Sequence, residues 1–501
     1  MNYRKKATSV LLLAVMVVTA LYAGSMGSFT QEEFKELVAG PTETLHIWYH
    51  DESMTEYLTS AAIAYKDKTG IRVVPVISTG AQYLETINQV SLFDQDRPEK
   101  AADPDEIPDL YLVRNDSLEK AYLGGLAIEA KDAKAILNTG KFPQTALDAV
   151  TYQGKIIGYP LSYETSVFLY NRTYLEEMAK NQLLAESGQE SAEAEGTTEA
   201  EENTEVNTEE PSAFTEEEIT ARVNEMIPET IDDILIFADQ FDAPEAVEAV
   251  LKWDVSDIFY NYFIIGNYMS VGGPTGDDQN QISIYNQETI KSLRVYQDLN
   301  QFFSIDTKEV TYDSVLSDFM DGKIVYSVVT TDAIAKLEGA KQEGTCDFDY
   351  GIARIPAIND EMKTRSLSVT TAVVVNGYSE RQEEAEAFAA FLTDDYVTQL
   401  YSKSNKPAAR LDVVYENEKV NIAMEEYRNS VPMPKMLASS NFWVRLEICF
   451  TNAWLGEDVN SLLMDLSEKI MTQVTGEEYI ETYIEEEEIV QDVIVDEGME
   501  E

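Results

Sequence analysis

The pattern of apolar and polar positions predicts alternating strands and helices in the first part of the chain. Residues 45–50 form an apolar run typical of a buried strand. Over residues 52–68 apolar side chains recur at helical spacing, and Gly70 suits a left-handed helix stop. A β-branched run predicts a second strand at 71–77. The same order then repeats, with a helix predicted at 83–90 and a strand at 108–113. Repeated strand–helix–strand order predicts a parallel sheet covered by helices.

The same alternation continues to the end of the chain. Residues 152–171 are expected to form two strands around a turn, interrupted by Pro160. Thr230 and Asp233 have the spacing of a capping box that begins a helix. Further strands are predicted at 324–329 and 366–375, and further helices at 290–303, 383–392 and 442–454. The whole chain is therefore expected to be α/β.

The length of 501 residues exceeds what one ordinary core accommodates, so two or more compact lobes are expected. Residues 186–218 contain 13 glutamates and no basic side chain, which predicts a disordered or loosely helical surface insertion. Residues 476–501 are dominated by acidic side chains and are expected to form a surface tail.

The N-terminal 25 residues have the pattern of an export signal. Arg4, Lys5 and Lys6 precede an apolar run at 10–22, which is short for a spanning helix and is followed by small residues. Cleavage is favoured, although retention as an anchor fits the same pattern. Ser25 cannot form the thioether of a lipoprotein, so lipid anchoring at this position is excluded.

Charge and residue content exclude several classes of function. A formal charge of -54 disfavours binding to nucleic-acid phosphates. Cys346 and Cys449 lack metal-type spacing and are interpreted as buried thiols, with one disulfide possible. His46 and His50 are the only histidines, and no His-Glu-x-x-His motif is present, which disfavours hydrolytic triads and zinc sites. No cofactor or metal site is predicted, whereas a glycosidase pair among so many carboxylates is not excluded by counting.

The order of several short motifs resembles the extracellular solute-binding proteins of ABC importers, in particular the maltodextrin-binding branch called family 1. These motifs are Ile47-Trp48, Thr69-Gly70-Ile71-Arg72-Val73, Pro108-Asp109-Leu110, Gly154-Lys155-Ile156-Ile157-Gly158-Tyr159-Pro160, Leu169-Tyr170-Asn171, Phe319-Met320-Asp321-Gly322-Lys323, Ile355-Pro356 and Lys406-Pro407-Ala408-Ala409. Each motif is short, and their agreement in order carries the resemblance.

The resemblance implies a two-lobed periplasmic-binding-protein-like fold of type II, with ligand held in a hinge cleft. Lobe 1 is then expected at residues 43–163 and 360–405, and lobe 2 at 164–359 and 406–475. The implied protein is a monomer outside the cytoplasm, secreted or tethered to the membrane. It would capture a carbohydrate and deliver it to ABC transporter membrane subunits, without catalysis.

Candidate ligand contacts follow from the resemblance position by position. His50, Asp51 and Glu52 follow the first strand, where a solvated helix start is the alternative. Asn115 and Asp116 follow the strand at 108–113, and Asp116 equally suits a helix cap.

Further candidate contacts lie later in the chain. Glu164 follows Tyr159-Pro160-Leu161-Ser162-Tyr163, and Trp443 matches a stacking aromatic, with a core tryptophan as the alternative. The remaining assigned contacts are Gln82, Trp253 and Asp332.

The resemblance also has departures that bear on the ligand. Val113 and Asp332 occupy positions where maltodextrin binders have stacking tryptophans, and Ile231 replaces a common tryptophan. The ligand need not be a maltodextrin. The alternatives are a polyamine held by carboxylates in the same fold, and a secreted glycosidase.

Overall fold

The computed structural model describes residues 44–80, 82–96, 107–131, 133–187 and 214–485. In chain order the strands are β1 (Thr44–Tyr49), β2 (Arg72–Ile77), β3 (Leu110–Arg114), β4 (Thr151–Tyr152), β5 (Lys155–Ile156), β6 (Tyr159–Asn171), β7 (Ala249–Leu251), β8 (Ser270–Val271), β9 (Ile282–Ser283), β10 (Ile324–Thr330), β11 (Tyr350–Ala353), β12 (Leu367–Val375) and β13 (Val431–Pro432). The helices are α1 (Thr55–Thr69), α2 (Tyr83–Asp96), α3 (Leu118–Leu123), α4 (Gln144–Ala149), α5 (Arg172–Ser187), α6 (Glu216–Met226), α7 (Ile231–Gln240), α8 (Ile258–Asn261), α9 (Gln287–Phe303), α10 (Tyr312–Met320), α11 (Asp332–Glu343), α12 (Gln382–Ala390), α13 (Leu400–Ser404), α14 (Glu418–Tyr427), α15 (Phe442–Trp454) and α16 (Val459–Thr475). The export-signal prediction for residues 1–25 and the insertion prediction for 188–213 lie outside the described residues.

The chain divides into two compact units. Of the described residues, unit 1 contains those within 44–113, 121–133 and 373–404, and unit 2 contains those within 114–120, 134–372 and 405–485. The last change of unit comes after Ser404, and the sequence placed the last change of lobe after residue 405. Residues 114–120, 134–163, 360–372 and 405 fall in unit 2, whereas the sequence assigned them to lobe 1. The lobe bounds stay a prediction. The expected cleft between lobes stays a prediction.

Unit 1 is built on the parallel sheet that the sequence predicted. β1 pairs in parallel with β2 on one side and with β3 on the other, with Leu45 opposite Val73 and Ile47 opposite Leu110. α1 ends at Gly70, whose φ of 79° is the left-handed conformation expected at a helix stop. The Tyr57 hydroxyl donates to the carbonyl of Leu392 at 2.7 Å, which ties α1 to the segment after α12.

A buried carboxylate joins three segments of unit 1. Asp109 is 3% exposed and accepts hydrogen bonds from the His46 backbone N–H at 2.8 Å and the Ser379 hydroxyl at 2.6 Å. The Arg381 guanidinium donates to both of its oxygens, at 3.3 Å from Nε and 3.2 Å from Nη2. Asp109 therefore connects β1, the start of β3 and the loop before α12.

Unit 2 is built around β6, which pairs antiparallel with β10 and β11. β10 pairs in parallel with β7, and the first residues of β12 pair in parallel with β13. The predicted interruption of β6 at Pro160 is wrong, because the strand runs unbroken from Tyr159 to Asn171. Pro160 lies outside the residues 166–171 that pair with β10 and β11.

Local signals define several element boundaries in unit 2. The capping box predicted at Thr230 is confirmed, since its hydroxyl accepts from the Asp233 N–H while the Asp233 carboxylate accepts from Thr230 N–H. A second box, formed by Thr215 and Glu218, begins α6, so the end of the segment predicted as an insertion is an ordinary helix start. The predicted helix at 442–454 is confirmed as α15.

The described part of the acidic tail lies along α16. Tyr479 N–H donates to the Thr472 hydroxyl at 3.0 Å, and the Asn460 side chain donates to the Ile484 carbonyl at 2.8 Å. Cys346 and Cys449 are free and buried, as predicted. Within the described ranges no helix has both the length and the apolar content to cross a bilayer.

Candidate functional site

Glu164 occupies an unusual position on β6. It is the one residue of this strand that is not buried, while its neighbours Tyr163 and Thr165 are fully enclosed. Tyr163 stacks on Tyr427 with ring centres 4.0 Å apart, and Thr165 donates to the Leu367 carbonyl. The strand is thereby fixed on both sides of Glu164, and the carboxylate is kept at the surface of unit 2.

The short helix α8 lies beside this part of β6. Ser166 donates from its hydroxyl to the Phe259 carbonyl at 3.2 Å, which joins the strand to the helix. Asp257 begins α8 by accepting from Phe259 N–H at 2.8 Å. Asn261 donates to the carbonyls of Asp254 and Asp257, and this holds the loop before the helix. Tyr260, the third residue of α8, is half-buried.

Tyr260 stacks on Tyr312, the first residue of α10. Their ring centres are 4.9 Å apart and the planes differ by 4°. The Tyr312 hydroxyl donates to Asp332 Oδ1 at 2.7 Å, and the Thr330 hydroxyl, which also donates to Asp332 Oδ1, lies 3.1 Å from the Tyr312 hydroxyl. Lys336 pairs with Asp332 Oδ2 at 2.8 Å and lies 4.9 Å from the centre of the Tyr312 ring. Asp332 therefore accepts hydrogen bonds in a polar network that surrounds the Tyr260–Tyr312 pair.

Trp443 is the second residue of α15. It is half-buried, and its ring centre is 5.8 Å from that of Tyr262, which directly follows α8. Tyr262 is fully buried, and its hydroxyl has no hydrogen-bond partner among the described residues. One turn after Trp443, burial and the charges of Asp257 and Asp254 raise the pKa of Glu447.

Several carboxylates influence the pKa of Tyr260. Burial raises the pKa of Tyr260, and the charges of Asp257, Asp332, Glu164 and Asp254 raise it further. Burial also raises the pKa of Asp332, but hydrogen bonds from Lys336, Thr330 and Tyr312 outweigh it and hold that pKa below its ordinary value. Asp332 is therefore ionised at neutral pH, and the surroundings of Tyr260 are strongly negative.

The candidates in unit 1 lie at the carboxyl end of β1 and the start of α2. His50 is exposed, with its ring centre 5.0 Å from that of Tyr83. Asp51 accepts from the Ser53 N–H at 3.0 Å, so it caps the turn that leads into α1. Glu52 and Gln82 are exposed. These four residues have accessible polar groups at one edge of the unit 1 sheet.

Two candidates are enclosed in the interior of unit 2. Trp253 is 1% exposed, donates to Asn261 Oδ1 at 2.8 Å and packs edge-on against Trp454. Asn115 is fully buried, donating to the Met433 carbonyl and accepting from Thr370 N–H. Both side chains direct their polar atoms to protein partners, which is typical of a structural role. Asp116 is half-buried and accepts from the Ser117 hydroxyl.

Comparison with known proteins identifies the family. The family model described as bacterial extracellular solute-binding protein matches residues 60–423, which is more than half of the chain. The chain belongs to this family. Among curated proteins, this solute-binding protein is similar to the maltodextrin-binding protein MdxE of Bacillus subtilis, with 18% identity over 440 residues, 86% of this chain and 90% of the relative.

Solved structures share the fold of this solute-binding protein. The extracellular solute-binding protein of Staphylococcus aureus in complex with maltose has a TM-score of 0.65 at 18% identity, covering 87% of this chain and 99% of the other. A cyclo/maltodextrin-binding protein complexed with maltotetraose has a TM-score of 0.64 at 19% identity, covering 87% and 98%. The α/β fold predicted from the sequence is confirmed.

The structure of the solute-binding protein relates three of the predicted residues to the segment 260–262 and adds two that the sequence did not single out. Glu164 and Asp332 lie near Tyr260, and Trp443 contacts Tyr262. Tyr260 and Tyr312 were missed, because α8 is a single turn with no periodicity to recognise. The sequence pattern that could have indicated Tyr260 is the segment 259–263, which has four aromatic residues and follows Asp254 and Asp257.

Side chains suited to a metal ion do not cluster in the described parts of the solute-binding protein. Burial raises the pKa of the Cys449 thiol to about 12, so this group is protonated and unreactive at neutral pH.

Proposed function

We propose that this solute-binding protein captures a neutral sugar or short oligosaccharide and delivers it to the membrane subunits of an ABC importer. The observation that carries the proposal is one short segment of unit 2, on which Tyr260 is half-buried and lies near the Glu164 carboxylate while Tyr262 contacts the half-buried ring of Trp443. Aromatic faces stack on the apolar face of a sugar ring, and carboxylates accept hydrogen bonds from its hydroxyls. The relatives named for maltodextrin or solved with maltose and maltotetraose support a saccharide ligand.

The protein acts by binding alone, as a monomer outside the cytoplasm, either secreted or tethered to the membrane. His50, Asp51, Glu52 and Gln82 supply polar contacts from unit 1, and Asp116 supplies a further one from unit 2. The family description, which names an extracellular solute-binding protein, supports both the location and the absence of chemistry.

A polyamine is the second candidate ligand, and one observation favours it. The charges of Asp257, Asp332, Glu164 and Asp254 all act on Tyr260, and Lys336 is already paired with Asp332. Ammonium groups would form charge-assisted hydrogen bonds with these carboxylates. The apolar rings beside them favour a ligand that also has a flat apolar face, which a sugar has and a linear polyamine lacks.

Thermal unfolding with a ligand panel tests the proposal. Maltose, maltotriose, other neutral disaccharides, spermidine and amino acids are compared at equal concentration. A neutral saccharide is expected to raise the melting temperature by a few degrees, because a ligand that binds only the folded state stabilises it. A shift with spermidine alone would refute the sugar assignment and support the polyamine. Release of shorter saccharides from the panel would instead show a glycosidase.

The negative surroundings of Tyr260 predict discrimination against acidic sugars. A uronate disaccharide is expected to bind on the order of tenfold more weakly than its neutral counterpart in low salt, because its carboxylate would face Asp257 and Glu447. Asp257→Asn should reduce the ratio of the neutral-sugar affinity to the uronate affinity. It should keep the cap of α8, since an asparagine side chain also accepts from Phe259 N–H. Calorimetry at two salt concentrations measures the ratio.

The matched control for this experiment is Glu477→Gln, which removes an exposed charge after α16. It should leave the ratio of the two affinities unchanged. Equal binding of the uronate and the neutral sugar by the wild-type protein would contradict the electrostatic argument.

A further inference from the structure

Tyr312 is fixed by three side chains of β10 and α11. Its hydroxyl donates to Asp332 Oδ1 at 2.7 Å and lies 3.1 Å from the hydroxyl oxygen of Thr330. The Lys336 ammonium lies over the ring at 4.9 Å and is itself held by Asp332. Removing Asp332 would therefore release both the hydroxyl of Tyr312 and the cation above its ring.

Tyr260 depends on Tyr312 for the orientation of its own ring. α8 is one turn long, and its attachment to β6 runs through the Phe259 carbonyl, a backbone group. The Tyr260 ring meets Phe259 edge-on at 6.1 Å and stacks in parallel on Tyr312 at 4.9 Å and 4°. The closer, face-to-face contact with Tyr312 is the one we expect to set the plane of the ring. A ring already fixed in one plane binds a flat partner at a smaller loss of conformational entropy.

We propose that Asp332 is a positioning residue, which holds Tyr312 so that Tyr260 presents a fixed aromatic face to the ligand. This rests on the proposed function, and it assigns to Tyr260 the stacking role in this part of unit 2. The Tyr312 ring and hydroxyl are engaged by Tyr260, Lys336, Thr330 and Asp332, so Tyr312 supports the pair. Tyr260 is the member left to meet the ligand, on the same short segment as Tyr262, which contacts Trp443.

The chemistry of Asp332 suits a support better than a direct contact. Three donors from Thr330, Tyr312 and Lys336 converge on its two oxygens. A carboxylate that already accepts from three groups has little capacity left for a sugar hydroxyl. Asparagine at this position would keep one oxygen to accept from Tyr312, whereas alanine would keep none. The pair of substitutions therefore separates positioning from general disruption.

The first experiment measures the ring of Tyr260 without any ligand. 3-Fluorotyrosine is placed at position 260, and its ¹⁹F resonance is recorded in the wild-type protein, Asp332→Asn and Asp332→Ala. The resonance should shift and broaden in Asp332→Ala and stay close to the wild-type position in Asp332→Asn. Glu309→Ala, an exposed residue shortly before α10, is the control and should leave it unchanged. An unchanged resonance in Asp332→Ala would overturn the positioning role.

The second experiment is a double-mutant cycle on ligand affinity, measured by calorimetry with the saccharide that raises the melting temperature most. Asp332→Ala and Tyr260→Ala should each weaken binding about tenfold, and the double variant should be little weaker than either. Asp332→Asn should bind within about threefold of wild type. Effects that multiply in the double variant would overturn the proposal, because a separate structural role predicts independence.

The two experiments keep this proposal distinct from the proposed function. If no saccharide binds the wild-type protein, the function is refuted, and the fluorine resonance alone decides whether Asp332 positions the ring. If a saccharide binds equally well to the wild-type protein and Tyr260→Ala, the stacking role of Tyr260 is refuted while the function stands.

Discussion

Replacing Asp109 with alanine is expected to lower the free energy of unfolding by about 3 kcal/mol. The substitution leaves the buried His46 N–H and the Ser379 hydroxyl without an acceptor, and it removes both oxygens that Arg381 binds. Each unsatisfied buried donor costs about 1–3 kcal/mol. Arg381 is part-exposed and regains water, which limits the total. Urea unfolding of the two proteins measures the difference.

Asp109→Asn distinguishes the hydrogen bonds from the charge. Asparagine keeps one oxygen as an acceptor, so its cost should lie between zero and that of alanine. Asp67→Ala, at the exposed end of α1, is the matched control and should change stability by less than about 0.5 kcal/mol. If Asp67→Ala lowered the free energy of unfolding as much as Asp109→Ala, or if Asp109→Ala did not lower it, Asp109 would not join β1 to the loop before α12.

The Pro108-Asp109-Leu110 motif shows what sequence order can reveal. Its place before a strand was visible from the apolar run, and the strand is present as β3. The partners of Asp109 were not visible, because His46 and Ser379 lie 63 and 270 residues away in the chain. Periodicity reports the local path of the chain, whereas hydrogen-bond partners are set by tertiary packing.

The same distinction explains the candidate site. Trp253 and Trp443 were both predicted as ligand contacts, and no local sequence pattern separates them. The structure encloses Trp253 between Asn261 and Trp454 and leaves Trp443 half-buried. Exposure depends on which helices cover a position, and α15 and α9 come from distant parts of the chain. A single sequence therefore predicts the aromatic positions but not which of them meets solvent.

Asp332 shows a limit of predicting site residues from matched family positions. The resemblance identified its position as one that carries a tryptophan in maltodextrin binders, and a carboxylate there implies a lost aromatic contact. The structure has an aromatic pair beside it, Tyr260 and Tyr312, contributed by two other elements. Position-by-position transfer could not find these residues, because they do not occupy the matched position.

Replacing Trp443 with alanine is expected to weaken saccharide binding about 30-fold, or about 2 kcal/mol. The loss follows from the large apolar area that an indole ring covers on a sugar face. Trp443→Phe keeps a smaller ring and should lose less than tenfold. Calorimetry measures both affinities, and circular dichroism melting shows whether α15 remains packed on Tyr262.

Fluorescence gives an independent reading of the same contact, because the chain has only four tryptophans. Trp253 and Trp454 are each 1% exposed and are remote from solvent, so a ligand that stacks on Trp443 should change the emission mainly through that residue. The ligand-induced change should disappear in Trp443→Phe and persist in Trp48→Phe, the control for the half-buried tryptophan of unit 1. A change that survives Trp443→Phe and is lost in Trp48→Phe would move the stacking contact to unit 1, where His50 and Gln82 lie.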